Sequence, residues 1–150
     1  MPRIGASLSE LVREAQAATR RVDLQRLLEW LRAAEPLLLV DVREPEEFAD
    51  GHLPGALSIP RGLLEPAADR DYPAKDPQLA EARWRRVVVY CDCPSGARAA
   101  FAAQVLQQMG FQHVFYLAGG LPMWLAEGLA LETRVDAARC YRRQGRLSDA

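Results

Sequence analysis

The sequence is short of most features that mark membrane, secreted and nucleic-acid-binding proteins. It has no apolar run near the roughly 20 residues that span a bilayer, so we expect no membrane span or membrane partner. Residues 2–6 lack the apolar centre of a signal peptide, and three cysteines are too few for a disulfide scaffold. We therefore expect a cytoplasmic protein with free thiols. The formal net charge of −1 gives no global attraction to nucleic acid.

What is present is the composition of one folded domain. The chain has 150 residues, of which 49% are apolar and 26% charged, a balance typical of globular proteins rather than of disordered or fibrous ones. The pattern Ser7-Leu8-Ser9-Glu10 predicts a capping box at the start of an amphipathic helix. Asp23 is the expected N-terminal cap of a second helix.

The rest of the chain alternates short apolar runs with helical patterns. The runs at residues 37–42, 57–59, 87–90 and 114–117 predict strands, and helices are predicted from residue 99 to 109 and from 122 to 127. Residues 61–86 have several prolines and mixed charges, which favour a surface excursion. Since the connections are too long for hairpins, we predict an α/β fold with a central parallel β-sheet and helices on both faces.

The segment that carries chemistry lies between a predicted strand and a predicted helix. It reads Cys93-Pro94-Ser95-Gly96-Ala97-Arg98. A loop entering a helix at the carboxyl end of a parallel sheet directs backbone N–H groups into one concavity. Those donors would favour the thiolate of Cys93, and Arg98 would hold an anion by a bidentate contact. We therefore expect Cys93 to act as a nucleophile and residues 94–98 to bind its substrate.

Four motifs in this order resemble the rhodanese family, and in particular its single-domain members. They are Leu39–Phe48, Gly51–Ala56, the Cys93–Arg98 loop, and Leu117–Gly120 with Trp124. The resemblance covers residues 22–128, so we expect an N-terminal helical extension over residues 1–21 and a C-terminal extension over residues 129–150. It implies a parallel-sheet α/β domain without cofactor or metal. It also implies sulfur transfer, from a donor such as thiosulfate or a persulfide to cyanide or a thiol.

The family pattern leaves two candidates for the nucleophile. Family members usually place the catalytic cysteine directly after the tyrosine of the strand, which selects Cys91. A six-residue loop ending in arginine, and the spacing to Met109-Gly110, select Cys93, which we prefer. Cys91 is then either a buried strand residue or a resolving thiol that attacks a persulfide on Cys93. Pro94 removes one N–H donor from the loop.

Other polar residues have structural interpretations. Asp41 lies in an apolar run, so we expect it to be buried and paired with Arg43, behind the loop. His52 lies in a turn and is expected to bridge loop backbone rather than act as a base. Arg61 follows Pro60 near the expected mouth of the site and is a candidate for a minor substrate contact. The glutamates at positions 44, 46 and 47 are expected to form a solvated helix face.

Three other functions compete with sulfur transfer, and the length of the loop argues against the first of them. The related protein phosphatases need a Cys-x5-Arg loop, whereas this chain has Cys-x4-Arg from Cys93 or Cys-x6-Arg from Cys91. Arsenate reduction uses a similar loop. A non-catalytic binding or regulatory module is the alternative from another class, although Cys93 and Arg98 are both retained. A homodimer is a further possibility.

Overall fold

Strands and helices alternate along nearly the whole described chain. The computed structural model describes residues 4–133. Within them the strands are β1 (Arg20–Val22), β2 (Leu37–Asp41), β3 (Leu57–Ser58), β4 (Arg86–Tyr90) and β5 (His113–Leu117). The α-helices of the same range are α1 (Leu8–Ala18), α2 (Leu24–Arg32), α3 (Pro45–Asp50), α4 (Leu64–Ala68), α5 (Pro77–Ala80), α6 (Ala97–Gln108) and α7 (Gly120–Ala126). None of these described helices has the length and apolarity to traverse a bilayer.

The five strands form one parallel sheet in the order β1-β5-β4-β2-β3. β4 is central, with Val89 level with Val40 of β2 and with Tyr116 of β5. The carboxyl ends of β2, β4 and β5 therefore meet at one edge. The predicted α/β fold with a central parallel sheet is confirmed, and the loop after β4 lies where such sheets place their sites.

Helices cover both faces of the sheet. Because successive side chains of a strand point to opposite faces, Val87 and Val89 pack on one side and Val88 on the other. The first side carries residues of α4, α5 and α6, and the second carries residues of α2 and α7. β4 is thus buried on both faces, which explains its uninterrupted run of valines.

The N-terminal segment forms a helix and then joins the sheet. The capping box is present, with the Ser7 hydroxyl accepting from the Glu10 N–H at 3.1 Å. Val12 and Ala15 are buried, and α1 packs against α6. The strand β1 was not predicted, because three residues with one apolar side chain give no periodic signal. Residues 20 and 21 of the predicted helical extension therefore lie in a strand that extends the sheet.

Residues 61–86 are not a mere surface excursion, so that prediction is wrong in part. A 3-10 turn over Arg61–Leu63 leads into α4, and α5 follows. Leu64 and Leu79 of these two helices are fully buried against the sheet. α5 has only four residues, held by the Asp76 carboxylate, which accepts from the Gln78 N–H at 2.9 Å. Helices this short leave no periodic pattern to detect.

The predicted C-terminal extension is described only as far as residue 133. Leu129 and Leu131 pack against the core of the second face, and the Glu132 backbone exchanges hydrogen bonds with His52 at 2.9 Å. Cys140 and the remainder of the extension lie outside the described residues.

Candidate active site

The loop between β4 and α6 carries both candidate nucleophiles. β4 ends at Tyr90, and α6 begins at Ala97, two residues earlier than predicted. Gly96 caps the helix with φ of +71°, a left-handed conformation that glycine adopts without a Cβ clash. Its N–H donates to the Cys93 carbonyl at 3.0 Å, which closes a turn. Cys93 therefore lies directly beneath the first turn of α6.

Cys93 is surrounded by hydrogen-bond donors. The Arg98 Nε donates to the Cys93 Sγ at 3.0 Å. Burial of this half-buried thiol would raise its pKa, but hydrogen bonds from the Arg98 side chain, from the Arg98 backbone N–H and from the Cys91 thiol lower the pKa below its ordinary value. The sulfur therefore ionises more readily than an ordinary cysteine to the thiolate, the form that acts as a nucleophile.

Cys91 has the opposite environment. Its side chain is buried, and this burial raises the pKa of its thiol to about 11, although backbone N–H groups of Cys93 and Ala99 oppose the shift. The neighbouring Cys93 sulfur also favours the protonated form of Cys91 and so raises its pKa. Of the two thiols, Cys93 is therefore the one that ionises first, and Cys91 keeps its proton at neutral pH.

Arg98 is held by two carboxylates. Its Nη1 lies 2.8 Å from Glu47 Oε1, and its Nη2 lies 2.6 Å from Asp92 Oδ1. Hydrogen bonding from Arg98 lowers the pKa of Glu47 to about 2. The expectation that Glu47 is a solvated helix residue is therefore wrong. The guanidinium has little free donor capacity left for the predicted bidentate contact with an anionic substrate, because its Nε contacts Cys93.

A buried network supports Arg98 from behind. Asp41 and Arg43 form an ion pair at 2.8 Å, and both side chains are almost fully buried. The Tyr90 hydroxyl donates to Asp41 at 2.7 Å, and Arg43 Nη1 lies 3.7 Å from Asp92 Oδ2. The network therefore runs from the end of β2 to the carboxylate that orients Arg98. We refer to Asp41, Arg43, Glu47, Asp92 and Arg98 as the loop cluster.

His52 lies apart from the sulfur. Its ring is fully buried, stacks on Phe48 with ring centroids 3.6 Å apart, and its Nδ1 is 2.8 Å from the Phe48 carbonyl oxygen. Its backbone pairs with Glu132. These contacts connect the turn after α3 to the chain that follows α7.

Arg61 is engaged elsewhere. Its Nη1 lies 2.7 Å from Glu65 Oε1, and its N–H donates to the Val42 carbonyl at 3.0 Å. Among the described residues that line the cavity at Cys93, Arg61 does not occur. The structure therefore places Arg61 near the end of β2, by Asp41 and Arg43, and outside the lining of the cavity at Cys93.

A cavity of about 430 Å³ opens over the two thiols. Its described lining comes from three segments, namely Gln16 and Arg21, then Cys91 and residues 93–96, and finally residues 116–120 with Pro122. Of the predicted substrate contacts, Pro94, Ser95 and Gly96 line it, whereas Ala97 and Arg98 lie behind them in α6. The cavity gives a small substrate access to Cys93.

The third lining segment of the cavity, residues 116–120, requires a glycine at position 120. A Cβ on Gly120 would lie 2.2 Å from the Cys91 carbonyl oxygen, and the Leu121 N–H donates to that oxygen at 3.0 Å. The turn before α7 thus packs directly on the loop. The motif Leu117–Gly120 was recognised in the sequence, but Gln16 and Arg21 were missed, because the packing of α1 on α6 and the pairing of β1 with β5 bring them to the site.

Comparison with known proteins places this site in a family. A model of the Rhodanese-like domain family matches residues 23–127. The chain is 38% identical over 110 residues to a sulfurtransferase of Allochromatium vinosum, covering 73% of this chain and 92% of that protein. It is 35% identical over 115 residues to the thiosulfate sulfurtransferase of Pseudomonas aeruginosa, covering 69% of this chain but 41% of that protein.

Two solved structures are similar over most of the chain. A Rhodopseudomonas palustris protein of unknown function, described as a possible tyrosine phosphatase, matches with a TM-score of 0.77 and 30% identity over 88% of this chain and 99% of its own. The polysulfide-sulfur transferase homodimer of Wolinella succinogenes matches with a TM-score of 0.62 and 30% identity, over 83% and 85% of the two chains. The resemblance found in the sequence is confirmed, and the chain belongs to the Rhodanese-like domain family.

Proposed function

We propose that the protein is a sulfurtransferase that carries sulfane sulfur as a persulfide on Cys93. The donor is thiosulfate or a persulfide, and the acceptor is cyanide or a thiol. The observation that carries this proposal is the contact of 3.0 Å between the Arg98 Nε and the Cys93 Sγ at an open cavity. The names of the related sulfurtransferases support the same class of reaction.

In the first half-reaction the Cys93 thiolate attacks the outer sulfur of thiosulfate. The new S–S bond forms as the bond between the two sulfurs of thiosulfate breaks, and sulfite leaves with the electron pair. The outer sulfur of thiosulfate is already at the sulfane oxidation level of a persulfide, so no external oxidant is needed. Arg98 and its backbone N–H stay hydrogen-bonded near the sulfur and stabilise the anionic persulfide.

In the second half-reaction an acceptor attacks the outer sulfur of the persulfide. Cyanide takes that sulfur to become thiocyanate, and the electron pair of the broken S–S bond returns to Cys93 as the thiolate. A thiolate acceptor follows the same course and becomes a persulfide. The donors that lower the pKa of Cys93 also make it a better leaving group in this step.

The choice between the two cysteines rests on access and charge. Cys93 is half-buried and its pKa is lowered, whereas burial raises the pKa of Cys91 to about 11. Cys91 is proposed here as a positioning residue that donates its S–H to the Cys93 thiolate. A role of Cys91 as a resolving thiol stays a prediction, and its raised pKa opposes it.

The competing functions make different demands on the loop. Phosphate-ester hydrolysis fits poorly, because Cys93 to Arg98 spans six residues and the Arg98 guanidinium is shared by Glu47 and Asp92. Arsenate reduction would use the same thiolate. A non-catalytic module would retain binding without turnover.

A cytoplasmic location and a homodimer, the latter as in the Wolinella succinogenes protein, stay predictions.

The direct test is cyanide-dependent thiocyanate formation from thiosulfate. Wild type should turn over, Cys93→Ala should lose at least about a thousandfold of the activity, and Cys91→Ala should stay within about tenfold of wild type. Loss of turnover in Cys91→Ala alone would assign the nucleophile to Cys91. Absence of turnover with both thiosulfate and a persulfide donor would favour the binding module, and hydrolysis of an aryl phosphate would favour the phosphatase.

A further inference from the structure

The wall of the cavity contributed by α1 and β1 carries a positive charge that no part of the catalytic loop supplies. Among the described residues that line the cavity, Arg21 is the one with a charged side chain apart from the Cys93 sulfur. Its side chain is exposed, and no ion pair involving it occurs in residues 4–133. It is therefore free to meet an anion that enters the cavity.

The side-chain charges around the thiolate favour an additional cation for an anionic substrate. The loop cluster has two guanidinium groups and three carboxylates, so with the thiolate its negative charges exceed its positive ones by two. Arg98, the expected anion ligand, already contacts Glu47, Asp92 and Cys93. A dianion such as thiosulfate would be repelled by this end of the cavity unless another cation offset the charge.

We propose that Arg21 binds the anionic end of the sulfur donor, and that Gln16, which lines the same cavity, supplies a hydrogen bond. The Gln16 side-chain amide lies next to the loop, with its Nε2 3.6 Å from the place where a Cβ of Gly96 would be. The anionic group is thereby held on the β1 side, while the sulfane sulfur faces Cys93. This subsite rests on the proposed sulfurtransferase function and lies in a segment before residues 23–127, which match the family.

The size of the cavity indicates which donors this subsite accepts. At about 430 Å³ it falls within the range of roughly 300–1,000 Å³ that accommodates small organic ligands, and it exceeds what one thiosulfate ion fills. An organic persulfide with a carboxylate would place that carboxylate near Arg21 and its terminal sulfur near Cys93. The substrate class assigned to the site is therefore an anionic sulfane-sulfur donor.

The subsite can be tested without turnover by alkylating Cys93 with two matched reagents. Iodoacetate is anionic and iodoacetamide is neutral, so the ratio of their rates reports the attraction of the cavity for an anion. Arg21→Gln should lower this ratio about three- to tenfold, because a single charge is lost close to the reagent. The control Arg20→Gln removes the same charge from the neighbouring residue, whose guanidinium lies 4.5 Å from the centre of the Phe115 ring, and should leave the ratio unchanged.

Kinetics with thiosulfate provide the second measurement. Arg21→Gln should raise KM about three- to tenfold with kcat nearly unchanged, since the contact forms in the ground state and in the transition state alike. Arg21→Lys should recover part of the loss, and Arg20→Gln should match wild type. An alkylation ratio and a KM that are both unaffected by Arg21→Gln would overturn the subsite.

These experiments distinguish a failure of the Arg21 subsite from a failure of the proposed sulfur transfer. If wild type transfers no sulfur from thiosulfate or from a persulfide to either cyanide or a thiol, but Arg21→Gln lowers the alkylation ratio, the anion subsite stands and sulfur transfer is wrong. If wild type turns over thiosulfate but Arg21→Gln changes neither quantity, sulfur transfer stands and the assignment of Arg21 is wrong.

Discussion

Cys91 and Cys93 are separated by one residue, yet their environments differ in almost every respect. Cys91 directly follows β4 and is buried, and this burial raises the pKa of its thiol to about 11. Cys93 lies at the cavity with the Arg98 Nε at 3.0 Å, and its pKa is lowered. Residue type alone does not make a nucleophile; the balance between burial and the donors aimed at the sulfur does.

Removing Arg98 should abolish most of the difference in pKa between Cys91 and Cys93. Arg98→Gln deletes the donor to Cys93 and leaves Glu47 and Asp92 without their shared cation, so the Cys93 pKa should rise. We expect alkylation of Cys93 at neutral pH and thiocyanate formation to fall by about 10- to 100-fold, the effect of losing a hydrogen bond to a charged group. The surface variant Arg26→Gln, which loses an exposed pair with Glu29, is the control and should behave as wild type.

The pH dependence of the two thiols should separate them further. Iodoacetamide should modify Cys93 of the folded protein at pH values below the usual cysteine pKa of about 8.5, while Cys91 stays unmodified at neutral pH. Because the folded pKa of Cys93 is the lower one, its ionisation stabilises the fold at pH above the unfolded pKa. That contribution is lost as the pH falls through the folded pKa.

Chemical denaturation of wild type and Cys93→Ala across this pH range measures the contribution. The free energy of unfolding of wild type should increase relative to that of Cys93→Ala as the pH rises. A difference that stays constant with pH, or that shrinks as the pH rises, would mean that the Cys93 pKa is not lowered.

The smallest expected effect belongs to Glu47. Arg98 lowers the pKa of Glu47 from an ordinary value of 4.5 to about 2. The carboxylate therefore stabilises the fold above about pH 4.5, and this contribution is lost as the pH falls toward about 2. Glu47→Gln should be slightly less stable than wild type at neutral pH, and this difference should vanish as the pH falls through about 2. The free energies of unfolding at the two pH values check this, with the exposed Glu46→Gln as control.

The parts of this site that could be predicted are local in the chain. The strand-loop-helix pattern around Cys93, the buried Asp41 run and the turn at Gly119-Gly120 are contiguous in sequence, and the parallel sheet follows from their alternation. These features predicted the position of the loop, and the spacing from Cys93 to Arg98 favoured Cys93 as the nucleophile.

The parts that could not be predicted depend on contacts between distant segments. Glu47 reaches Arg98 across 51 residues, and it carries the same pattern as neighbouring glutamates that stay in solvent. Arg21 enters the cavity because β1 pairs with β5, nearly a hundred residues further along the chain. A three-residue strand has too little apolar periodicity to be recognised, so its contribution to the site becomes visible only in three dimensions.

The most direct measurement is the location of sulfur after incubation with thiosulfate. Intact mass and peptide mapping of wild type should show a gain of about 32 mass units, one sulfur atom, on the peptide position of Cys93, with Cys91 unmodified. Cyanide should remove the added mass. Sulfur found on Cys91 in the Cys93→Ala protein at the wild-type level, or no added sulfur on wild type, would contradict the assignment of Cys93 as the persulfide carrier.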